Sequence, residues 1–183
     1  MKTIIFISGF GVPEFVAKSK FLWDEQLWSD YFCFWLPSRT PTSDRMVEKE
    51  LDRLERLLAL YPDSAVAGQS LGAWWAANLA LRESVDIKKL VFWTGLCNHN
   101  EFPIFNVTPR YNPINQESTN KNYGVLRVLN VYAKDDLIVP TASHAMQLNR
   151  HFAPMPYQLD GGHLYQNNHK PALSFMKEWI ERK

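Results

Sequence analysis

The chain has 183 residues, about one domain's worth, and at that length roughly 70% of the extended surface can be buried without disulfides or metals. Lys and Arg total 20 against 19 Asp and Glu, a net charge of +1, which lacks the basic surplus of a general nucleic-acid binder. An aromatic share of 14% excludes a disordered chain, and two cysteines, Cys33 and Cys97, make no disulfide framework.

Residues 3–7 (TIIFI) form a β-branched run stopped by Ser8-Gly9, the pattern of a strand buried on both faces. The run is shorter than the roughly 7–15 apolar residues of a secretory signal, and nowhere do 18 apolar residues follow one another. No membrane span and a cytoplasmic location are expected. Residues 19–30 place Phe21, Leu22, Leu27 and Trp28 at helical spacings, and 31–36 (YFCFWL) predict a strand stopped by Pro37. Residues 43–60 predict the clearest helix, with Ser43 as N-cap, Pro62 beyond the end, and Val47, Leu51, Leu54 and Leu58 on one face. A short strand at 64–67 ends at Gly68, and a small-residue helix follows over 71–81. Residues 89–94 predict another buried strand. Residues 95–124 carry no periodicity and read as an irregular loop or minimal lid. A strand at 126–133, a helix over 140–152 with Pro140 in its first turn, a strand at 156–159 and a helix over 171–181 close the chain.

This alternation predicts one α/β domain over 1–183: a doubly wound, mostly parallel sheet of about six strands with helices on both faces. Such sheets bind ligands at the carboxyl ends of their strands, so the strand-to-helix loops are where chemistry belongs.

The strongest of these loops is Gly68-Gln69-Ser70-Leu71-Gly72, a G-x-S-x-G between a short strand and a helix. A sharp turn there projects the Ser70 hydroxyl, and glycines flank it because a Cβ would collide with neighbouring backbone. A serine hydroxyl needs an adjacent base. Among His99, His144, His151, His163 and His169, only His163 follows a Gly-Gly turn after a strand and before the last helix. His99, just past the strand at 89–94, is its rival; His144 and His151 fall in a helical segment where a surface position is expected. The base needs an acid to fix its tautomer. Asp135-Asp136 follow the strand at 126–133, and the Asp-x-x-Val-Pro pattern favours Asp136 over Asp135. Asp160, so near His163 in sequence, reads as structural. The order Ser70, Asp136, His163 is that of the α/β-hydrolase triad. Two backbone N–H groups should form an oxyanion hole: that of Leu71, and one from the loop Ser8-Gly9-Phe10-Gly11 after the first strand.

On these motifs the chain resembles the α/β-hydrolase superfamily over essentially its whole length. More narrowly, it looks like the compact serine hydrolases of the retinoblastoma-binding-protein-9 type, by its length, the nucleophile near position 70, the Asp-Asp before a proline and the Gly-His near the C-terminus. Relatives commonly carry His-Gly where this chain has Ser8-Gly9, which makes Phe10 the implied second N–H donor. The resemblance implies hydrolysis of a carboxylic ester or thioester, small or carrier-bound, through an acyl-enzyme, with no metal or cofactor. The Ser8-Gly9-Phe10-Gly11 opening is also similar to that of pimeloyl-carrier-protein methyl ester esterases of biotin synthesis. Gly9, Gln69, Trp74 and Phe105 are the candidate substrate-facing residues. Phe102, Phe105, Tyr111 and Tyr123 either line an acyl pocket or cover the sheet edge, and Trp74 serves packing or substrate. Two other readings are a non-catalytic binding scaffold and a thiol enzyme using Cys97 with His99.

Overall fold

A computed structural model describes residues 2–10, 28–113, 127–141, 144–163 and 169–182. Within them lie strands β1 (Lys2–Ile7), β2 (Tyr31–Leu36), β3 (Ala65–Gln69), β4 (Lys89–Trp93), β5 (Arg127–Ala133) and β6 (Met155–Leu159). The helices are α1 (Asp44–Leu60), α2 (Leu71–Ala80), α3 (Ala145–Phe152) and α4 (His169–Glu181). The strands form one sheet in the order β2-β1-β3-β4-β5-β6, and each neighbouring pair is parallel. This is the doubly wound arrangement expected from the sequence.

Strand alternation divides the interior into two layers. Ile5 and Ile7 of β1 face α1, α2 and α3, together with Val66, Leu90, Phe92 and Val128. Ile4 and Phe6 point the other way, toward Trp28, Trp35 and the inner face of α4 (Leu173, Met176, Trp179, Ile180). Phe6 stacks on Trp35 with ring centroids 4.4 Å apart. Helix α1 begins where expected: the Ser43 hydroxyl accepts the Met46 N–H at 3.3 Å. Its apolar stripe Val47, Leu51, Leu54 and Leu58 is buried, each side chain contributing about 1.5–3 kcal/mol of transfer free energy. Helix α2 is buried on every side, and its alanines let it lie close to the sheet.

Two boundaries differ from the sequence reading for reasons the structure makes plain. The strand at 64–67 runs on through Gly68 to Gln69, because Gly68 and Gln69 still pair with Phe92 and Trp93. The helix expected over 140–152 starts only at Ala145. Asp136 Oδ1 accepts the N–H groups of Ile138 and Val139 at 2.9 and 2.8 Å, and the Thr141 hydroxyl donates to the Ala133 carbonyl at 2.7 Å. These side-chain bonds hold the segment in a turn that competes with helix. The helix expected over 19–30 lies outside the described residues up to position 27; Trp28 to Asp30 form a turn.

In the strand order, β2 lies to one side of β1 while β4 follows β3 in the opposite direction. The crevice between the carboxyl ends of β1 and β3 is therefore the topological switch point where such sheets bind ligands. Gly9 and Ser70 occupy it.

Candidate active site

Ser70 joins β3 to α2 with φ 51 and ψ −117. Positive φ is costly for a residue with a Cβ, on the order of 1–3 kcal/mol, and persists only where surrounding structure imposes it. Here the Ser70 N–H donates to Trp93 O at 3.0 Å, and Ser70 O accepts from Leu96 N and Ala73 N, both at 3.0 Å. The hydroxyl makes no capping bond to α2 and the residue is partly exposed. A Cβ on Gly68 would lie 2.4 Å from the Gly72 carbonyl oxygen, and one on Gly72 would lie 2.0 Å from that of Ile7. The two glycines of the motif thus allow the turn to close on itself and on β1. A Cβ on Gly9 would come within 3.2 Å of the Ser70 Cβ, so the loop after β1 passes directly over the serine. Leu71 is the first residue of α2, and its N–H precedes the helix's own hydrogen-bond ladder. Phe10 stands 60% exposed on the loop after β1.

His163 and Asp136 meet at the carboxyl ends of β6 and β5, with Nδ1 to Oδ2 at 2.7 Å. The Asp136 side chain is buried and its other oxygen is occupied by the Ile138 and Val139 amides, so its orientation is fixed twice over. With Nδ1 donating to Asp136, Nε2 is the ring nitrogen left to act as a base. The end of β4 links this pair to the serine. Trp93 O holds the Ser70 N–H, and the next residue, Thr94, donates its hydroxyl to the His163 carbonyl at 3.4 Å. Thr94 has φ 42, an outlier for a β-branched residue, and its N–H is tied to Val131 O at 2.8 Å.

Asp135 does not touch the imidazole. Its carboxylate accepts the N–H groups of Gly161 and Gly162, at 3.1 and 3.0 Å on Oδ1, which hold it below the usual carboxylate range. Asp160 pairs with Lys134 at 2.9 Å.

The remaining candidates fall elsewhere. Trp74 has no exposed surface, and its indole N–H donates to His99 Nδ1 at 3.3 Å. Phe105 is half-buried, stacked on His99 and edge-on to Trp74. Gln69 is buried beneath the serine turn. His99 is thus committed to an aromatic cluster, and burial pushes its pKa down.

His144 departs most from the sequence reading, which expected a surface position. It is fully buried just before α3, where Nδ1 accepts the Cys97 and Asn98 N–H groups at 3.1 and 3.2 Å and Nε2 faces Glu101 at 3.2 Å. Burial pushes its pKa down as well. Its neutral ring anchors the loop after β4 to α3.

Cys97 packs against His144 rather than His99, its thiol 3.2 Å from the His144 carbonyl oxygen. Burial, with Glu101 adding to it, pushes that thiol's pKa well above its ordinary value. A buried thiol that resists ionisation is a poor nucleophile. Iodoacetamide on the native protein at neutral pH is expected to modify the half-buried Cys33 before Cys97, as read by peptide mass spectrometry. Carboxamidomethylation of Cys97 with a parallel loss of activity would restore the thiol reading.

An open cleft of about 530 Å³ lies at the opposite, amino ends of the strands, lined by Lys2, Tyr31, Tyr61, Ser64, Lys89 and Glu181 among others. Its lysines are already engaged. Lys2 bonds Asp30 at 3.0 Å and Glu181 at 2.7 Å, and Lys89 bonds the Ile180 and Arg182 carbonyls. The convergent polar groups lie at the other edge of the sheet.

Solved structures share this architecture from end to end. An alpha/beta hydrolase enzyme, MGS-MChE2, from a sediment metagenome of the Mar Chica lagoon in Morocco superposes with a TM-score of 0.70 at 16% identity, over 98% of this chain and 90% of its own. The ydeN gene product of B. subtilis gives a TM-score of 0.69 at 14% identity, over 100% of both chains. The chain has the α/β-hydrolase fold. Est1E from Butyrivibrio proteoclasticus is similar too, with a TM-score of 0.68 at 14% identity over 98% of this chain and 86% of its own. No protein-family model matches the sequence, and neither does any curated protein. Among the described residues no helix is long and apolar enough to cross a membrane.

Proposed function

We propose that the protein is a serine hydrolase that cleaves a carboxylic ester or thioester through an acyl-enzyme. The observation that carries this reading is the 2.7 Å Asp136–His163 pair, set at the sheet edge where Ser70 occupies a left-handed strand-to-helix turn. Ser70 Oγ attacks the carbonyl carbon while His163 Nε2 takes the hydroxyl proton, and Asp136 supports the resulting imidazolium through Nδ1–H. The N–H groups of Leu71 and Phe10 receive the oxyanion, each worth about 3–4 kcal/mol where such donors have been removed in other enzymes. Collapse of the tetrahedral intermediate expels the alcohol or thiol, protonated by His163. His163 Nε2 then takes one proton from a water whose oxygen attacks the acyl-enzyme, and passes that proton to Ser70 Oγ as the acyl–serine bond breaks and the acid leaves with the other.

These motifs resemble those of the compact serine hydrolases of the retinoblastoma-binding-protein-9 type. The segment between β4 and β5 is too short for a full cap domain, which favours short acyl esters or an acyl group presented on a carrier. Half-buried Phe102 and Phe105 on that segment pack on the core.

Diisopropyl fluorophosphate, followed by peptide mapping, tests the nucleophile. The phosphoryl label is expected on the peptide holding Ser70 and absent from Ser70→Ala. A label that survives Ser70→Ala at the same stoichiometry would place the nucleophile elsewhere.

A further inference from the structure

We infer that Asp135 is a positioning residue: it clamps the backbone of Gly161 and Gly162 and thereby sets where the His163 imidazole stands. The inference rests on the reading of Ser70, His163 and Asp136 as the reacting set.

Strands β5 and β6 pair in register from Leu129 opposite Met155 to Ala133 opposite Leu159. The pairing does not stop with the sheet. Lys134 donates its N–H to Leu159 O at 3.1 Å and its ammonium to Asp160 at 2.9 Å. Asp135 then accepts Gly161 and Gly162, and Asp136 accepts His163. Three consecutive side chains of one loop thus grip consecutive residues of the other.

Continued strictly, the strand register would bring Asp136 opposite Gly162. One residue must be folded away for His163 to arrive there instead. The two glycines do this, with φ 119 at Gly161 and 66 at Gly162, a region open to glycine and strained for other residues. Successive N–H groups in such a turn converge to form an anion-binding nest, and the Asp135 carboxylate fills it. Nothing lies within 4 Å of a Cβ built on Gly162, so crowding does not explain the turn. The carboxylate is the contact that closes it from below, while Thr94 holds the His163 carbonyl from β4.

The neighbouring acids therefore have different tasks. Asp136 is buried and binds the ring; Asp135 is exposed and binds the backbone leading to it. Because the amides hold the Asp135 carboxyl below its ordinary value, the clamp is complete above the unfolded carboxylate pKa, near 4, and is lost only as pH falls through the lower folded one.

The test compares Asp135→Ala, Asp135→Asn and Asp136→Asn, using kcat and KM on p-nitrophenyl acetate and the low-field proton resonance of the His163 Nδ1–H. Misplacement of a reacting group by about 1 Å can cost on the order of 100-fold in rate. Asp135→Ala is expected to lower kcat about 10–100-fold with KM unchanged, and to broaden the low-field resonance. Asp135→Asn keeps the oxygen that takes both amides, so it should recover most of both signals. Wild-type kcat with an intact resonance in Asp135→Ala would overturn the inference. So would equal impairment of the Ala and Asn variants, which would mean that the charge acts and not the clamp. A loss in Asp135→Ala as deep as in Asp136→Asn would also overturn it, by making Asp135 the triad acid. If wild-type protein neither hydrolyses the ester nor takes fluorophosphonate at Ser70, the triad reading fails instead. The resonance comparison still decides whether Asp135 holds the ring in place.

Discussion

Ser70→Ala and His163→Ala are each expected to lower kcat for a p-nitrophenyl ester by on the order of 10⁴–10⁶-fold, and the double variant by no more than the worse single one. The non-additivity is the informative part. A hydroxyl without its base is barely nucleophilic, and a base without the hydroxyl has no proton to take, so removing the second partner subtracts nothing further. Asp136→Asn should cost on the order of 10⁴-fold, because the amide can present its N–H to Nδ1 and stabilise the wrong tautomer. In the proposed mechanism the residual rate comes from the Leu71 and Phe10 amides, which none of these changes touches. Steady-state kinetics with confirmed folding of each variant decides the matter. Losses for Ser70→Ala and His163→Ala that multiply in the double variant would mean that the two side chains act independently, and the triad reading would fall.

Much of this arrangement is legible from the residues because it depends on local chemistry. The Ser43 cap and the Val47–Leu58 stripe specify α1 almost to the residue. The G-x-S-x-G spacing carries its own steric reason, visible in the close approaches that Gly68 and Gly72 permit. The Asp-x-x-Val-Pro pattern works because an Asp side chain can capture the amides two and three positions ahead, as Asp136 does. That same capture delays α3 to Ala145, an effect that helical periodicity over 140–152 does not register.

What stays hidden depends on contacts between distant segments. Nothing near His144 in sequence announces that Cys97 and Asn98 will point their amides at its ring, so a histidine expected at the surface is buried. Thr94 gives no sign of a left-handed backbone, since its conformation comes from being tied at once to Val131 and His163. Trp74 is apolar on any reading; only its edge-on contacts with His99 and Phe105 show that it faces the core. The division of labour between Asp135 and Asp136 likewise appears only when the β5–β6 register is known.

Gly72→Ala is expected to be the most damaging of the glycine-to-alanine changes at Gly9, Gly68, Gly72, Gly95 and Gly162. The added Cβ would lie 2.0 Å from the Ile7 carbonyl oxygen, 2.6 Å from its carbon and 2.7 Å from the Ser8 carbonyl oxygen. These are backbone atoms at the end of β1, which is bonded on both sides by β2 and β3, so no side chain can rotate away to make room. Either α2 lifts off the sheet or β1 shifts, and both open a core in which α2 is buried on every side. The loss should reach at least about 3 kcal/mol, the upper part of the overpacking range, out of a total stability of about 5–15 kcal/mol for a domain of this kind. Gly162→Ala is the useful control: nothing lies within 4 Å of its Cβ, and its cost is the backbone strain of φ +66 alone, about 1–2 kcal/mol. Denaturant midpoints of the two variants measure the difference. A Gly72→Ala protein within about 1 kcal/mol of wild type would show that α2 and β1 slide freely past each other. The tight helix-on-strand contact could then not be what fixes the loop carrying Gly9 and Phe10 over Ser70.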